Sequence, residues 1–281
     1  MPAVIDHPRE MLDLSRRWRR DGLSIGLVPT MGALHGGHMS LVAQACSDND
    51  RVVVSVFVNP IQFGPNDDLE RYPTDLERDL GMLEKAGVAA VYMPAAAVMY
   101  PPGATTRVKV GGVAEPLEGT LRPGHFEGVA TVVAKLFNAT EPDRAYFGQK
   151  DAQQVAVVKR MALDLDTGIE IRVGPTIREA DGLALSSRNA YLVPRERKAA
   201  ACLSEALRWA AGAYGAGERN GVRLLGGILK ILEAEPLARV AYAEIVDQGT
   251  FVAPGTLAVL AVWIGKTRLI DNHDLAHAFP G

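Results

Sequence analysis

The sequence predicts a doubly wound α/β domain followed by a smaller α+β domain. Short apolar runs alternate with helical patterns up to about residue 176, and beyond that point helices come first and strands follow. A chain of 281 residues is long enough to bury two such cores. We therefore place the two domains at residues 1–176 and 177–281.

The first strand–helix–strand unit lies between residues 23 and 58. Residues 23–28 and 51–58 are short apolar runs rich in β-branched side chains, which is typical of a parallel sheet covered on both faces. Between these runs, Met39, Val42 and Cys46 recur at helical spacing. The unit predicts a Rossmann-like sheet.

Three further helices, each followed by a strand, continue the alternation. The pairs lie at 75–86 and 88–92, at 126–139 and 144–148, and at 151–163 and 169–173. Doubly wound folds bind ligands at the carboxyl ends of their parallel strands. Polar residues that directly follow a predicted strand are therefore the candidates for a functional site.

The C-terminal domain opens with an alanine-rich helix from Pro194, because proline suits the first turn of a helix. A second helix is predicted at 218–234. Paired strands follow at 239–247 and 256–265, with FVAPGT as the turn region between them. Helices followed by paired strands indicate an α+β arrangement for this domain.

Composition and charge argue against several classes of protein. Hydrophobic residues make up 48% and charged residues 22% of the chain, as in soluble globular proteins. A net charge of −3 and a pI near 6.1 argue against a nucleic-acid partner, and the basic run at 16–20 is typical of a solvated helix face. Neither a signal peptide nor an apolar run of about 18 residues is visible, so we expect a cytoplasmic protein with no membrane partner. Cys46 and Cys202 show no disulfide or zinc-site spacing.

The first candidate segment is VPTMGALHGGHMSLV, residues 28–42, which passes from a strand into a helix. Its glycines are unfavourable inside a helix, but they let a ligand approach the backbone closely. The unpaired N–H groups at a helix start attract phosphate, and His35 and His38 add two donors there. Capping or surface histidines are the alternative, and the position at a strand end favours the functional pair. Without a third ligand nearby the pair does not predict zinc.

Three other segments carry polar groups, and two of them, FVNPIQFGPNDD and YFGQKDAQQ, directly follow a predicted strand. Asn59 and Gln62 in FVNPIQFGPNDD bear amides that suit a small polar substrate, and RPGHFEGVATVVAKLFN opens with a turn that contains Arg122 and His125. Lys150 in YFGQKDAQQ can reach phosphate oxygens. The adjoining aspartate can accept from ribose hydroxyls or cap the helix.

The segment READGLALSSRNAYL presents Ser186, Ser187 and Arg188, two hydroxyls and a guanidinium that form a phosphate-binding set. Together, the candidate segments can position a nucleoside triphosphate and stabilise charge during displacement at phosphorus. No side chain shows the partner arrangement of a nucleophile, and no carboxylate pair indicates hydrolysis.

Six ordered blocks resemble the pantothenate synthetase (pantoate–β-alanine ligase) family, whose superfamily of nucleotidyltransferases shares an H-x-G-H motif. The blocks span almost the entire chain and read PTMGALHGGH, FVNPIQFG, RPGHFEGV, YFGQKDAQQ, READGLALSSRN and GKTRLIDN. The chain has Gly36-Gly37 where the family usually has an acid–glycine pair between the histidines. It has Ala152 where an aromatic residue usually follows Lys-Asp. Neither departure removes a functional group.

The resemblance implies a two-step ligation. The carboxylate of (R)-pantoate attacks the α-phosphate of ATP, and the amine of β-alanine then attacks the pantoyl adenylate and releases AMP. His35, Lys150 and Arg188 would stabilise charge, and His38 would be the proton donor. The C-terminal domain is expected to act as a lid that keeps water from the adenylate.

The resemblance also implies the binding residues. Gln62 and Gln154 would hold pantoate, with Gln62 also near β-alanine, and Asp79 would lie near a magnesium ion carried by the ATP phosphates. A homodimer is implied in the same way. The residues implied to contact ATP are Met31, Gly32, Ala33, Leu34, His35, Gly36, Gly37, His38, Gly148, Gln149, Lys150, Asp151, Ile177, Leu185, Ser186, Ser187 and Arg188.

Two alternative functions stay open on the residues alone. One is another adenylyltransferase of the H-x-G-H superfamily, acting on a nucleotide or on tRNA. The acidic balance and the lack of an anticodon-binding module count against tRNA. The other is a catalytically silent nucleotide-binding regulator. Loss of a cationic group would be expected there, whereas this chain keeps both histidines, Lys150 and Arg188.

Overall fold

The structure is a computed structural model that describes residues 1–65, 67 and 69–280. The chain forms two compact units. The N-terminal unit contains Met1–Gly148 and Gln154–Gly174, and the C-terminal unit contains Gln149–Gln153 and Pro175–Gly281. The roles that the sequence assigns to its two domains remain predictions.

The N-terminal unit is built on a six-stranded parallel sheet with the strand order β1-β4-β3-β2-β5-β6. The chain runs outward from β2 on one side and from β5 on the other, so the switch point of the sheet lies between these two strands. The predicted doubly wound fold is confirmed. The strands are β1 (Ala3–Ile5), β2 (Ile25–Thr30), β3 (Arg51–Val56), β4 (Ala90–Tyr92), β5 (Arg144–Gly148) and β6 (Glu170–Gly174).

Helices cover the sheet because its central strands are apolar on both faces. Val52, Val53 and Val54 of β3 are all buried, and the Leu41 and Val42 side chains of α2 pack into one core with Val52 and Val54. The helices are α1 (Pro8–Arg20), α2 (Gly36–Asp48), α3 (Leu76–Lys85), α4 (Ala96–Met99), α5 (Glu118–Leu121), α6 (His125–Thr140) and α7 (Ala152–Asp164).

The basic run of α1 lies on the exposed side of that helix, as predicted. Arg16 forms an ion pair with Glu141 at 2.9 Å, and Arg19 forms one with Asp143 at the same distance. Met11, on the opposite face, is completely buried. Arg16 and Arg19 therefore form ion pairs with other residues of the N-terminal unit.

The C-terminal unit packs helices on a three-stranded antiparallel sheet of order β7-β8-β9. Leu203, Leu207 and Ile228 share its core with Leu260 and Val262 of β8. The predicted α+β arrangement is confirmed. The elements are α8 (Pro194–Ala199), α9 (Cys202–Gly215), α10 (Gly221–Ala234), β7 (Ala238–Val246), β8 (Leu257–Ile264) and β9 (Thr267–Asp274). In the described part of the chain, no helix is both long and apolar enough to cross a membrane.

Candidate active site

The turn after β2 is held in an unusual backbone shape by two side chains. Gly32 and Ala33 have positive φ angles of 85° and 50°. The Thr30 hydroxyl accepts from the Gly32 N–H at 3.2 Å, and the Asp79 carboxylate accepts from the Leu34 N–H at 2.9 Å. Asp79 is 1% exposed. Its carboxylate therefore fixes the turn, and its role near magnesium stays a prediction.

His35 and His38 adopt a defined tautomer because each ring accepts a backbone hydrogen bond. His35 Nδ1 accepts from Gly37 N at 3.1 Å, and His38 Nδ1 accepts from His35 N at 3.3 Å. A ring nitrogen that accepts a hydrogen bond carries no proton, so each neutral ring carries its hydrogen on Nε2. The two ring centroids lie 4.1 Å apart. The pair thus places two Nε2–H donors side by side.

These donors lie at the start of α2, directly after the carboxyl end of β2. The helix begins at Gly36, with His35 as its N-cap. Unpaired backbone N–H groups and the helix dipole favour an anion at this end. Gly148 ends β5, the strand paired with β2 on the other side of the switch point. The sequence motif and the switch point therefore coincide.

Gln62 lies in a short 3-10 helix after β3 and is 8% exposed. Its Nε2 lies 3.2 Å from the Met31 sulfur, which joins the segments that follow β2 and β3. Asn59 Nδ2 donates to Gln62 Oε1 at 2.9 Å. Gln154, the other predicted pantoate residue, is half-buried in the first turn of α7.

Helix α6 rests directly on the backbone that carries Gln62, and Gly128 makes this contact possible. A Cβ atom at residue 128 would lie 2.5 Å from the Ile61 carbonyl oxygen and 2.6 Å from Gln62 Cα. The glycine in the RPGHFEGV block is therefore a packing requirement. The block is recognisable in the sequence, whereas the contact of this glycine with Gln62 is not.

His125 adds a second link between α6 and the same backbone. Its Nδ1 donates to the Gln62 carbonyl at 2.9 Å, while its Nε2 accepts from Arg122 at 3.1 Å. Arg122 also forms an ion pair with Asp67 at 2.9 Å. Burial, with a smaller effect of the neighbouring guanidinium, lowers the pKa of His125 to about 4. His125 is therefore neutral and structural at physiological pH.

This buried histidine predicts an acid-sensitive fold. The folded-state pKa of about 4 lies below the ordinary value of 6.5, so the unfolded chain binds the proton first as pH falls. Stability from this group is thus complete above pH 6.5 and is lost between pH 6.5 and pH 4, by about 3 kcal/mol in total. Urea unfolding at several pH values measures how the free energy of unfolding falls with pH, which is the slope of interest. His125→Asn, whose amide can still donate to the Gln62 carbonyl, should flatten it. An equal slope in both proteins would contradict the assignment.

In the C-terminal unit, β9 anchors the segment that carries Lys150. Asn272 Nδ2 donates to the carbonyl oxygens of Gln149 and Lys150 at 3.0 and 2.9 Å. Gln149 Nε2 donates back to Asn272 Oδ1 at 3.2 Å. Lys150 Nζ lies 3.9 Å from the Asp151 carboxylate. Asn272, the asparagine of the GKTRLIDN block, thus holds the backbone of the segment that carries Lys150.

The same strand anchors the loop that leads to Arg188. Arg178 forms a two-pronged ion pair with Asp271 at 2.7 and 3.0 Å, and both side chains are buried. The loop closes where the Leu185 N–H donates to the Ile177 carbonyl at 2.9 Å. Ser186 Oγ then accepts from Arg188 N at 3.3 Å. Both predicted phosphate-binding segments of this unit therefore depend on β9.

The structure places the predicted residues in two sets. One set, in the N-terminal unit, includes the residues from Met31 to His38 with Gln62, Asp79, Gly148 and Gln154. The other set, in the C-terminal unit, includes Gln149, Lys150, Asp151, Ile177 and the loop 185–188. Among the described residues, no cluster of three or more His, Cys, Asp or Glu side chains is placed to hold a metal ion.

Comparisons with known proteins give the family. A family model described as pantoate–β-alanine ligase matches residues 3–274. The chain is 56% identical over 254 residues to the pantothenate synthetase of Roseiflexus castenholzii, covering 89% of this chain and 91% of that protein. It is 54% identical over 283 residues to the pantothenate synthetase of Rubrobacter xylanophilus, covering 96% and 97%.

The chain belongs to the pantoate–β-alanine ligase family. Solved structures agree: pantothenate synthetase from Thermus thermophilus superposes with a TM-score of 0.90 at 44% identity, covering 97% of this chain and 99% of that one. The pantoate–β-alanine ligase from Francisella tularensis, complexed with beta-gamma ATP and β-alanine, has a TM-score of 0.84 at 35% identity, with both chains fully covered.

Membership of the pantoate–β-alanine ligase family confirms the resemblance drawn from the six blocks and the prediction of an enzyme that joins pantoate and β-alanine. The other adenylyltransferases and the silent regulator are not favoured by these matches. The matched region extends from β1 to the end of β9, so both units belong to the family's fold.

Proposed function

We propose that the chain condenses (R)-pantoate with β-alanine in two steps. A pantoate carboxylate oxygen attacks the α-phosphorus of ATP and pyrophosphate leaves, which gives pantoyl adenylate. The β-alanine amine then attacks the acyl carbon and AMP leaves. ATP, pantoate and β-alanine are thereby converted to pantothenate, AMP and pyrophosphate.

The observation that carries this proposal is the pair of Nε2–H donors at the start of α2. Charge develops on the phosphate oxygens as pyrophosphate leaves, and oriented donors stabilise such charge. Each ring accepts a backbone N–H at Nδ1, and an imidazolium would turn an Nδ1–H toward that donor. We therefore infer that His38 acts as a neutral hydrogen-bond donor. The family resemblance had implied a proton donor at this position.

Lys150 and Arg188 supply the permanent positive charges in this proposal. Lysine meets phosphate oxygens as a mobile point charge, and arginine as a planar fork. Gln62 and Gln154 are proposed to bind the oxygens of pantoate, and Gln62 also to lie near β-alanine. Their amides can pair with both hydroxyl and carboxylate groups.

Magnesium is proposed to enter with ATP. The donor groups suit an ion held by phosphates and water, because the buried Asp79 carboxylate beside the turn already accepts the Leu34 N–H. When bound, the ion neutralises charge on the phosphates. A homodimer, which rests on the resemblance, and a lid function for the C-terminal unit, which rests on the need to keep water from the adenylate, complete the proposal.

An isotope experiment tests the adenylate route. Pantoate labelled with oxygen-18 in its carboxylate is incubated with ATP first, and β-alanine is added afterwards. We expect pyrophosphate before β-alanine is added, AMP only after it, and oxygen-18 in that AMP, because the carboxylate oxygen becomes the bridge to phosphorus. Unlabelled AMP, or ADP with phosphate as products, would overturn the adenylate mechanism.

A further inference from the structure

A hydrogen-bonded chain leads from the backbone of α6 to the side chain of Gln62. It starts at the Gly128 carbonyl oxygen, which accepts from Asn59 Nδ2 at 3.1 Å. A carbonyl oxygen can only accept, so the Asn59 amide must turn its NH₂ group toward α6. Asn59 Oδ1 is thereby directed to the other side, where the Tyr100 hydroxyl donates to it at 2.8 Å.

The orientation of Asn59 in turn fixes that of Gln62. The same Asn59 NH₂ group donates to Gln62 Oε1 at 2.9 Å. Gln62 Oε1 is therefore used as an acceptor, and its NH₂ group lies on the opposite side, 3.2 Å from the Met31 sulfur. A thioether is a weak acceptor, so a substrate oxygen would be a better partner for this NH₂ group.

Tyr100 is the donor in its hydrogen bond with Asn59, because Asn59 Oδ1 can only accept. It follows α4 as the C-cap residue, and its ring lies 6.2 Å from the Phe57 ring and 5.9 Å from Lys135 Nζ. Burial raises the pKa of its hydroxyl, which keeps the proton on the oxygen. Asn59, which receives this hydrogen bond, is 1% exposed, so water cannot readily replace the hydroxyl.

We propose that Tyr100 is a positioning residue for the pantoate site. Its hydroxyl, opposite the Gly128 carbonyl, locks the Asn59 amide and so makes Gln62 present N–H groups to the substrate. The site then favours a substrate group that accepts hydrogen bonds, such as a carboxylate or hydroxyl oxygen, over one that only donates. The inference rests on the proposed role of Gln62 in binding pantoate.

The test replaces Tyr100 by phenylalanine, which removes only the hydroxyl. We expect the pantoate concentration at half-maximal single-turnover pyrophosphate release to rise roughly tenfold, since a buried amide oxygen is left unpaired. The half-saturating concentration of ATP should stay within about twofold. A general loss of structure would weaken both substrates.

Tyr146→Phe is the matched control. Tyr146 is buried, and its hydroxyl donates to Asp48 and accepts from Asn49, at the end of α2 away from the histidines. Tyr146→Phe removes the same hydroxyl group as Tyr100→Phe, from a tyrosine in the same unit. We therefore expect it to destabilise the protein by a comparable amount and to leave pantoate saturation unchanged. If Tyr100→Phe behaves like this control in pantoate saturation, the inference is overturned.

Gln62→Ala separates failure of this inference from failure of the proposed function. Weaker pantoate saturation in Gln62→Ala with normal saturation in Tyr100→Phe would overturn the role of Tyr100 alone. Normal pantoate saturation in Gln62→Ala would overturn the pantoate site, and the inference with it.

The side-chain amide signal of Gln62 in a nitrogen-15 NMR spectrum, assigned by its absence in Gln62→Ala, gives a second readout. Added pantoate should shift this signal in the parent protein and shift it less in Tyr100→Phe.

Discussion

Replacing His38 by asparagine is expected to slow pantoyl-adenylate formation by roughly a hundredfold or more without unfolding α2. Asparagine Oδ1 can take the position of the imidazole Nδ1 and accept the His35 N–H, which His38 accepts at 3.3 Å. The substitution removes the outer part of the ring with its Nε2–H, and the NH₂ group of asparagine takes the place of the ring carbon Cδ2. Loss of one donor to developing charge typically lowers the rate on this scale.

Rapid-quench measurement of pyrophosphate release in a single turnover isolates the step. The matched control is His7→Asn, because His7 is the N-cap of α1 and its Nδ1 also accepts a backbone N–H, from Arg9 at 3.3 Å. We expect both variants to keep the thermal unfolding midpoint within a few degrees of the parent, and only His38→Asn to lose rate. A near-normal rate in His38→Asn would remove the Nε2–H from the mechanism.

The elements that sequence reasoning found are those with an apolar pattern. The strand predicted at 144–148 has those bounds in the structure, and the helix predicted at 126–139 runs from His125 to Thr140. The third strand of the C-terminal sheet, β9, was missed because its sequence, TRLIDNHD, contains no apolar run. The short β1 was missed because three residues give no period. Local pattern therefore predicts strands that show an apolar run or alternation, the edge strand β6 among them, and misses strands that are too short or too polar to show one.

The contacts that support the candidate site could not be predicted from local pattern. Asp79 lies 45 positions from the Leu34 N–H that it accepts, and nothing in the sequence of α3 indicates that partner. Gly128 gave a signal, a glycine inside an otherwise apolar helix, but the close approach to Gln62 depends on tertiary packing. The motifs locate the groups that face a ligand. The groups that hold the motifs in place come from distant parts of the chain.

Replacing Arg178 by glutamine is expected to destabilise the C-terminal unit by about 3–5 kcal/mol. The guanidinium pairs with Asp271 through two hydrogen bonds, and the side chains of the pair are only 8% and 1% exposed. Removing the arginine leaves a buried carboxylate without its counter-charge. It also removes the bond from Arg178 to the Gly182 carbonyl at 3.0 Å, which shapes the loop before Ser186.

Fluorescence-monitored urea unfolding in a Trp18→Phe background measures this loss, because the other two tryptophans, Trp209 and Trp263, lie in the C-terminal unit. The matched control is Arg223→Gln in the same unit. Arg223 is 76% exposed and pairs with Glu218 at 3.5 Å, so its loss should cost less than about 1 kcal/mol. Similar costs for the two variants would show that burial does not strengthen the Arg178 pair.

A double variant separates folding from function at the same pair. Arg178→Met with Asp271→Leu replaces the buried ions by apolar side chains, and such replacements often restore stability. The Arg178 bonds to the Gly182 and Asn272 carbonyls are lost in both variants, so the loop that carries Ser186 to Arg188 loses its polar anchor to β9. We expect the double variant to regain most of the stability lost in Arg178→Gln. The half-saturating concentration of ATP should be higher than in the parent protein in both variants. Full recovery of ATP saturation would show that the ion pair contributes only to the stability of the C-terminal unit, and that the loop finds its ATP-binding shape without it.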